Sequence, residues 1–232
     1  MTDGFATSGR GMQAPSLGDA AYVSLKDRLT RGAYRPGDKL TVRSVADALR
    51  VSSTPARDAI NRLVAEGALV YAGPKTVILP ILSPSDLREI TLIRIAIEGL
   101  AAELAVSNCR DEDLEKLRKI QDKINSALDR KDYGEALWHN KEFHFLVYRL
   151  SGLPHLVALI ENQWLRVGPS FYDLYPEFAE ERRGVRNHEM AMEALAERDV
   201  GGLKAAFEND IREGYRRLRR ALDVRGGLNG KT

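Results

Sequence analysis

Apolar residues in this chain recur mostly at helical spacing. From Leu17 to Arg31, Ala21, Leu25 and Leu29 fall on related turns with Arg28 beside them, and Gly32 ends the run. Thr41 to Gly67 predicts two short helices meeting at a tight corner. Thr41 caps the first, whose Val42, Val45, Ala46 and Leu49 share a face. The chain turns through Arg50, Val51 and Ser52. The second helix begins at Ser53 or Thr54, with Pro55 in its first turn, an inner stripe of Ala56, Ile60 and Leu63, and a stop at Gly67. Small Ala46 permits close approach and Val51 plugs the corner, as a helix-turn-helix requires. Two β-prone runs, Ala68–Tyr71 and Thr76–Leu79, flank the turn Ala72-Gly73-Pro74-Lys75 and predict a hairpin wing.

Beyond the linker Pro80–Ser85 the pattern is helical throughout. Ser83-Pro84-Ser85-Asp86 is a helix start, with Leu87, Ile90, Ile93, Ile97, Ala101 and Leu104 expected inward. Further helices are expected over Asp111–Arg130, Tyr133–Ser151, His155–Leu174 (bent near Gly168-Pro169) and Glu177–Arg198. A last one, capped by Asp199, is expected to end before Gly226-Gly227. The fold class is therefore mainly α: an N-terminal winged helix-turn-helix domain, then an antiparallel six-helix bundle. Expected domains are a disordered tail 1–16, a DNA-binding head 17–79, the linker 80–85, and a helical effector-binding and dimerisation domain 86–225.

Composition sharpens this division. The formal charge is only +2, but residues 1–80 hold 11 Lys/Arg against 7 Asp/Glu, whereas the remainder is slightly acidic. A basic first third suits a DNA-binding head on a body that does not wrap DNA. One cysteine, Cys109, excludes an internal disulfide framework and reads as a small hydrophobe near a helix end. There is no run of 18 apolar residues and no charged-then-apolar leader. These features lead us to expect a cytoplasmic protein without membrane association.

The outer face of the second short helix carries Ser52, Ser53, Thr54, Arg57 and Asn61, groups that reach phosphates and base edges. The alternative is a small helical core that touches no nucleic acid. Pro36-Gly37-Asp38-Lys39-Leu40, Arg43, Ala46, Val51-Ser52, Thr54-Pro55, Arg57-Asp58-Ala59, Leu63 and Glu66-Gly67 resemble the N-terminal domain of GntR-family transcriptional regulators. The resemblance implies operator DNA as partner. It implies Arg43, Thr54 and Arg57 as base or phosphate contacts, Ser52 and Ser53 on the same face, and Gly73 and Lys75 at the wing tip. Two positions depart from it: Arg50 stands at the corner glycine, and Ser53 where Arg is frequent.

In a helical bundle, polar residues on inward stripes are informative because each needs a partner. Asn140 and His144 share a face of the third bundle helix, His188 lies in line with Val185 and Met192, and Asp210 with Phe207 and Gly214. Spacing alone leaves open a divalent metal site or an ordinary hydrogen-bonded core. Asn140-Lys-Glu-Phe143-His144, Gly152-Leu153-Pro154-His155-Leu156, Asn187-His188 and Glu197-Arg198-Asp199 resemble the FCD effector-binding domain of the FadR subfamily. Many members hold a metal between one Asp and three His. The resemblance implies ligands Asn140, His144, His188 and Asp210, with Asn140 where Asp is common and Asp210 where His is common. Zn²⁺ is expected first, Ni²⁺ or Mn²⁺ behind.

Arg94 sits between Ile90 and Ile97, where a guanidinium must meet an anion. That anion is either an internal carboxylate, Glu98 or Asp210, or a carboxylate effector bridging metal and Arg94, an arrangement similar to acid-sensing members of the subfamily. Trp164, Arg166 and Tyr172 are candidates to line the same cavity, with core or surface roles as the alternative. Arg212, Arg216, Arg217, Arg219 and Arg220 predict a solvated helix face.

Together these readings imply a homodimeric, ligand-responsive regulator, more often a repressor in this family. Its two heads would enter successive major grooves of a near-palindromic operator. The rivals are a metal-free regulator with a hydrogen-bonded polar core and a metal-dependent enzyme; against the latter, no general base or nucleophile motif stands beside the cluster.

Overall fold

A computed structural model describes residues 16–174 and 180–229, so that apart from Ser16 the expected tail lies outside the described residues. The first helix, α1 (Leu17–Thr30), starts in a reciprocal cap in which Ser16 Oγ accepts from the Asp19 N–H and the Asp19 carboxylate accepts from the Ser16 N–H. Tyr22, Leu25 and Leu29 of α1 are buried against α2 (Val42–Leu49) and α3 (Ser53–Ala65). The corner between α2 and α3 is closed by Arg50 at φ 56, ψ 44, the left-handed conformation a glycine would adopt freely. Its cost is met locally: the Val51 N–H reaches back to the Ala46 carbonyl, 3.1 Å away.

The wing contains a strand that hydrophobic alternation did not reveal. β2 (Val70–Gly73) and β3 (Thr76–Ile78) form the expected hairpin, with an irregularity between Tyr71 and Gly73. β1 (Lys39–Thr41) adds to the other side of β3 in antiparallel register, giving the order β1-β3-β2. Three residues with one buried side chain, Leu40, carry too little pattern to announce a strand; pairing across the sheet creates it.

The body comprises α4 (Pro84–Ala105), α5 (Asp111–Asp129), α6 (Tyr133–Leu150), α7 (Pro154–Val167), α8 (Arg183–Glu197) and α9 (Val200–Asn229). α4 packs on α6, α7 and α9, α5 on α6 and α8, and α8 on α9. Their shared core centres on Leu117, Phe143, Tyr148, Ile160, Leu195 and Phe207, and Cys109 lies buried within it. The molecule is thus a winged helix-turn-helix followed by a helical bundle.

Four details differ from expectation. The fourth bundle helix does not bend near Gly168-Pro169; it stops at Val167 and continues as 3₁₀ turns over Gly168–Leu174, since Pro169 lacks the N–H an α-helix needs. α9 runs on through Gly226-Gly227, because glycine weakens a long propagating helix without forbidding it. Arg94 and Glu98 of α4 are buried together with the expected Leu87, Ile90 and Ala101, whereas Ile93, Ile97 and Leu104 are half-exposed. Arg217 is buried and paired with Glu181 instead of solvated. The expected helix start at Glu177 lies outside the described residues.

Arg50 gives the first test. Arg50→Gly should raise the stability of the folded chain by about 0.5–1 kcal/mol, the left-handed cost less the extra freedom of glycine when unfolded. Urea denaturation followed by circular dichroism would register this as a higher midpoint.

Candidate functional site

Two faces concentrate chemistry. On the head, Ser52, Ser53, Thr54, Arg57 and Asn61 are all exposed along one side of α3, and Lys75 is exposed at the wing tip beside half-buried Gly73. Ser52 stands at the N-cap of α3 without making a side-chain capping bond, so the first N–H groups of the helix and three hydroxyls face solvent together. The Arg43 side chain is 94% exposed, 4.0 Å from Asp47. Tyr71 in β2 donates to Asn61 Oδ1 at 2.8 Å and ties the wing to the outer side of α3.

In the body, α6, α8 and α9 bring His144, His188 and Asp210 together, with ligand atoms all within 4.8 Å of one another. The two Nε2 atoms face each other at 3.1 Å, and His144 Nε2 lies 3.4 Å from Asp210 Oδ2. The far nitrogens decide what those atoms carry. His188 Nδ1 stands 2.7 Å from Gln121 Oε1, an amide oxygen that only accepts, so the proton is on Nδ1. His144 Nδ1 stands 3.0 Å from the Tyr148 hydroxyl, whose own proton goes to Glu98, the anionic partner of Arg94. His144 therefore donates from Nδ1 as well. When both rings are neutral, two bare Nε2 lone pairs and a carboxylate point at one spot. In a tetrahedral zinc site, ligand atoms about 2.0–2.1 Å from the ion lie about 3.3 Å apart, close to the spacings seen here. Phe143, stacked on His188 at 3.9 Å, and Trp164 and Phe207, each about 5 Å from His144, hold the rings in place.

A cavity opens beside the cluster, with about 1020 Å³ of atom-free space once the open solvent at its mouth is included. His188, Asp210, Asn140, Arg94 and Trp164 line it. Arg94 is buried and bonds Glu98 through Nε at 2.6 Å, so the internal carboxylate named as its alternative partner is present. Its guanidinium also lies 5.0 Å from the Trp164 ring, whose indole N–H is buried without an acceptor. Arg166 and Tyr172 do not line the cavity. Arg166 lies beside Gly67 at the end of α3, and the Tyr172 ring is covered by the Arg35 guanidinium at 3.6 Å. Phe171 takes the expected place of Tyr172. His139 bonds Glu142 at 2.6 Å and His155 is exposed, both away from the cluster.

Residues 89–213 match the FCD domain, and residues 17–74 match the family described as bacterial regulatory proteins, gntR family. The chain belongs to the GntR family, with an FCD domain. It is 32% identical to the HTH-type transcriptional regulator McbR of Escherichia coli K12, over 82% of this chain and 90% of that one. The solved structure of E. coli McbR/YncC aligns with a TM-score of 0.84 at 30% identity, covering 90% of this chain and 99% of the other. A transcriptional regulator from Rhodococcus sp. RHA1, 17% identical, shares the fold with a TM-score of 0.72 over 89% and 99%. The chain is thus a transcriptional regulator that pairs a DNA-binding head with an effector-binding domain. No helix among the described residues is long and apolar enough to cross a membrane.

Sequence reasoning missed three supporting groups of this GntR-family regulator: Gln121, Tyr148 and Asn187. Asn187 Nδ2 donates to Asp210 Oδ1 at 3.3 Å. Only Tyr148, one turn after His144, left a signal in the stripe. Electrostatics favour an uncharged His188 and an ionised Asp210 carboxylate. Burial, with His144 nearby and against the pull of Asp210, lowers His188 to about 3. Burial raises Asp210, but the hydrogen bond and charge of His144, in the form that carries a proton on Nε2, outweigh it together with His188 and Asn187 and bring the group to about 2. Burial and Glu98 raise the Tyr148 phenol well above its usual range.

The sign of the pH effect follows. A histidine with a depressed folded pKa favours folding above its unfolded pKa and loses that contribution as pH falls toward the folded value. Chelator-treated protein should lose about 2 kcal/mol between pH 6.5 and 5 through His188, and His188→Gln should flatten that slope. Asp210 adds the same sign only at lower pH. Denaturant titrations across this range are the measurement.

Proposed function

We propose that this regulator is a homodimeric repressor that binds a near-palindromic operator and releases it when a small carboxylate enters an FCD site holding a divalent metal. DNA binding is assigned to residues 17–79, joined by the linker 80–85 to the metal- and effector-binding unit 86–225. The observation that carries the reading is the 3.1 Å approach of two imidazole Nε2 nitrogens beside the Asp210 carboxylate. Unprotonated nitrogens repel at that distance unless a metal cation lies between them, and a metal cation satisfies both nitrogens and the carboxylate at once. His144, His188 and Asp210 supply three donors, with the amide oxygen of Asn140 as the fourth. Zn²⁺ suits this nitrogen-and-oxygen set best, then Ni²⁺ or Mn²⁺.

Charge then selects the effector. A divalent ion with one carboxylate and neutral donors keeps a net positive charge, and Arg94 stands in the same cavity. An anion bridging the two neutralises that excess, and a carboxylate does so bidentately. Such a ligand changes DNA affinity only as far as it binds one arrangement of the heads better than the other. On DNA, Arg43, Thr54 and Arg57 contact bases or phosphates, Ser52 and Ser53 add phosphate contacts, and Gly73 and Lys75 bring the wing to the backbone. Exposed Leu92 and Leu100, about two turns apart on α4, support pairing with a second copy.

One observation favours a metal-free alternative: a proton on His144 Nε2 would also relieve the cluster by pairing with Asp210. Elemental analysis of protein purified without chelators separates the readings. We expect close to one divalent ion per chain, lost in His144→Ala; a metal-free wild type that still responds to carboxylates would establish the hydrogen-bonded core instead. For DNA, Arg57→Ala should weaken operator binding about tenfold or more and lower the salt slope by about one in gel-shift titrations. Unchanged binding would remove Arg57 from the interface.

A further inference from the structure

The effector cavity is not confined to the effector domain. Leu29 and Thr30, from the last turn of α1 in the DNA-binding head, form part of its wall. The side-chain partners of their neighbours on α1 give their position along it. Lys26 Nζ lies 2.7 Å from Glu161, and Lys141 Nζ lies 3.6 Å from the same carboxylate. Five residues after Lys26, Arg31 pairs with Glu135 and lies 4.4 Å over the Trp138 ring. α1 therefore runs antiparallel to α6, with Lys26 level with Lys141 and Arg31 level with Glu135. A Cβ on Gly134 would stand 3.1 Å from the Arg31 carbonyl oxygen, so the end of α1 is seated directly on the first turn of α6.

This register places Leu29 and Thr30 beside Leu137 rather than beside His144. Seven residues of helix separate those two levels, about 10 Å of rise. α5 repeats the gradient: Gln121 bonds His188, and Ile124 and Leu128, three and seven residues on, line the cavity progressively farther from the cluster. The cavity thus has a polar pole at His188, Asp210 and Arg94, and about two helical turns away a mainly apolar pole of Leu29, Leu128 and Leu137, closed by the head, with Lys141 and Arg182 on its wall engaged by Glu161 and Asp129.

We propose that the effector is an elongated, amphipathic carboxylate whose apolar end touches Leu29 and Thr30, making the DNA-binding head part of the ligand site. This rests on the carboxylate reading above and adds the ligand's shape and its contact with the head. A compact, polar acid would leave the apolar pole unfilled. An acid with an apolar body of about 10 Å would span from the metal pole to α1 and press on the head without any intermediary.

The test uses the full chain loaded with Zn²⁺ and titrated by calorimetry with acetate, butanoate, hexanoate and octanoate. Affinity should rise about fourfold for each added CH₂ until the chain meets α1. Thr30→Trp should abolish the gain for hexanoate and octanoate while leaving acetate unchanged, and Thr30→Glu should do the same by placing a charge at the apolar pole. Thr30 is half-buried at a helix end, and circular dichroism of both variants reports that the fold is kept. If long acids bind both variants as they bind wild type, the head is not part of the site and the inference falls. It falls equally if acetate binds and length has no effect, although the carboxylate reading then survives. If none of the four acids binds wild type, the carboxylate reading fails and takes this inference with it.

Discussion

A phenol has one proton to give, and in this molecule Tyr148 gives it to Glu98. Glu98 must accept because it neutralises Arg94 in the bundle interior, where an unpaired charge costs several kcal/mol. With its proton committed, the Tyr148 oxygen can only accept from His144 Nδ1, which in the neutral ring leaves the opposite nitrogen free to act as a ligand. Gln121 does the same to His188 from α5. A chain of buried partners, Arg94 to Glu98 to Tyr148 to His144, therefore sets the chemistry of the cluster from one helix away. Partners of this kind fix both the orientation and the protonation of a ligand. The same chain explains why α4 turns an ion pair inward where a stripe of isoleucines was expected: Glu98 is needed more deeply than Ile93 or Ile97.

What could be read from the chain follows the range of the interactions involved. Helix starts at Thr41 and Ser83 were legible because each cap closes within three residues. The left-handed corner was legible because one residue, Arg50, occupies it. β1 was not, since its identity comes from pairing with residues more than thirty positions away. In the site, inward stripes brought out His144, His188 and Asp210, each of which needs only its own helix to be placed. Gln121 and Asn187 act across helices and left no local mark.

The two misplaced cavity residues have specific causes. Arg166 follows Trp164 by two positions, and residues two apart on an α-helix do not share a face. It consequently points to Gly67 and the head while Trp164 faces the cavity. Tyr172 lies beyond Val167, where the chain changes from α-helix to 3₁₀ turns. Three residues per turn replace 3.6, so a stripe projected from α7 arrives at the wrong residue and Phe171 lines the cavity instead.

That change of period also bears on how the head is held. Leu165 of α7 packs inside the head's own core beside Leu25 and Leu29, and Asn162 of α7 donates to the Glu66 carbonyl at the end of α3. The 3₁₀ turns that follow carry Tyr172 under Arg35, and α6 offers Glu135 to Arg31. α1 is thus gripped by the same two helices that supply Lys141 and Trp164 to the cavity and His144 to the cluster beside it. A packed core is bistable rather than continuously deformable, so a ligand that moves α6 against α7 must either leave Leu165 in the head core or withdraw it. Leu165 belongs to the head's core and to the cavity wall at once. With Leu29 and Thr30, which reach the cavity from the head itself, it marks where cavity occupancy meets the packing of the DNA-binding domain.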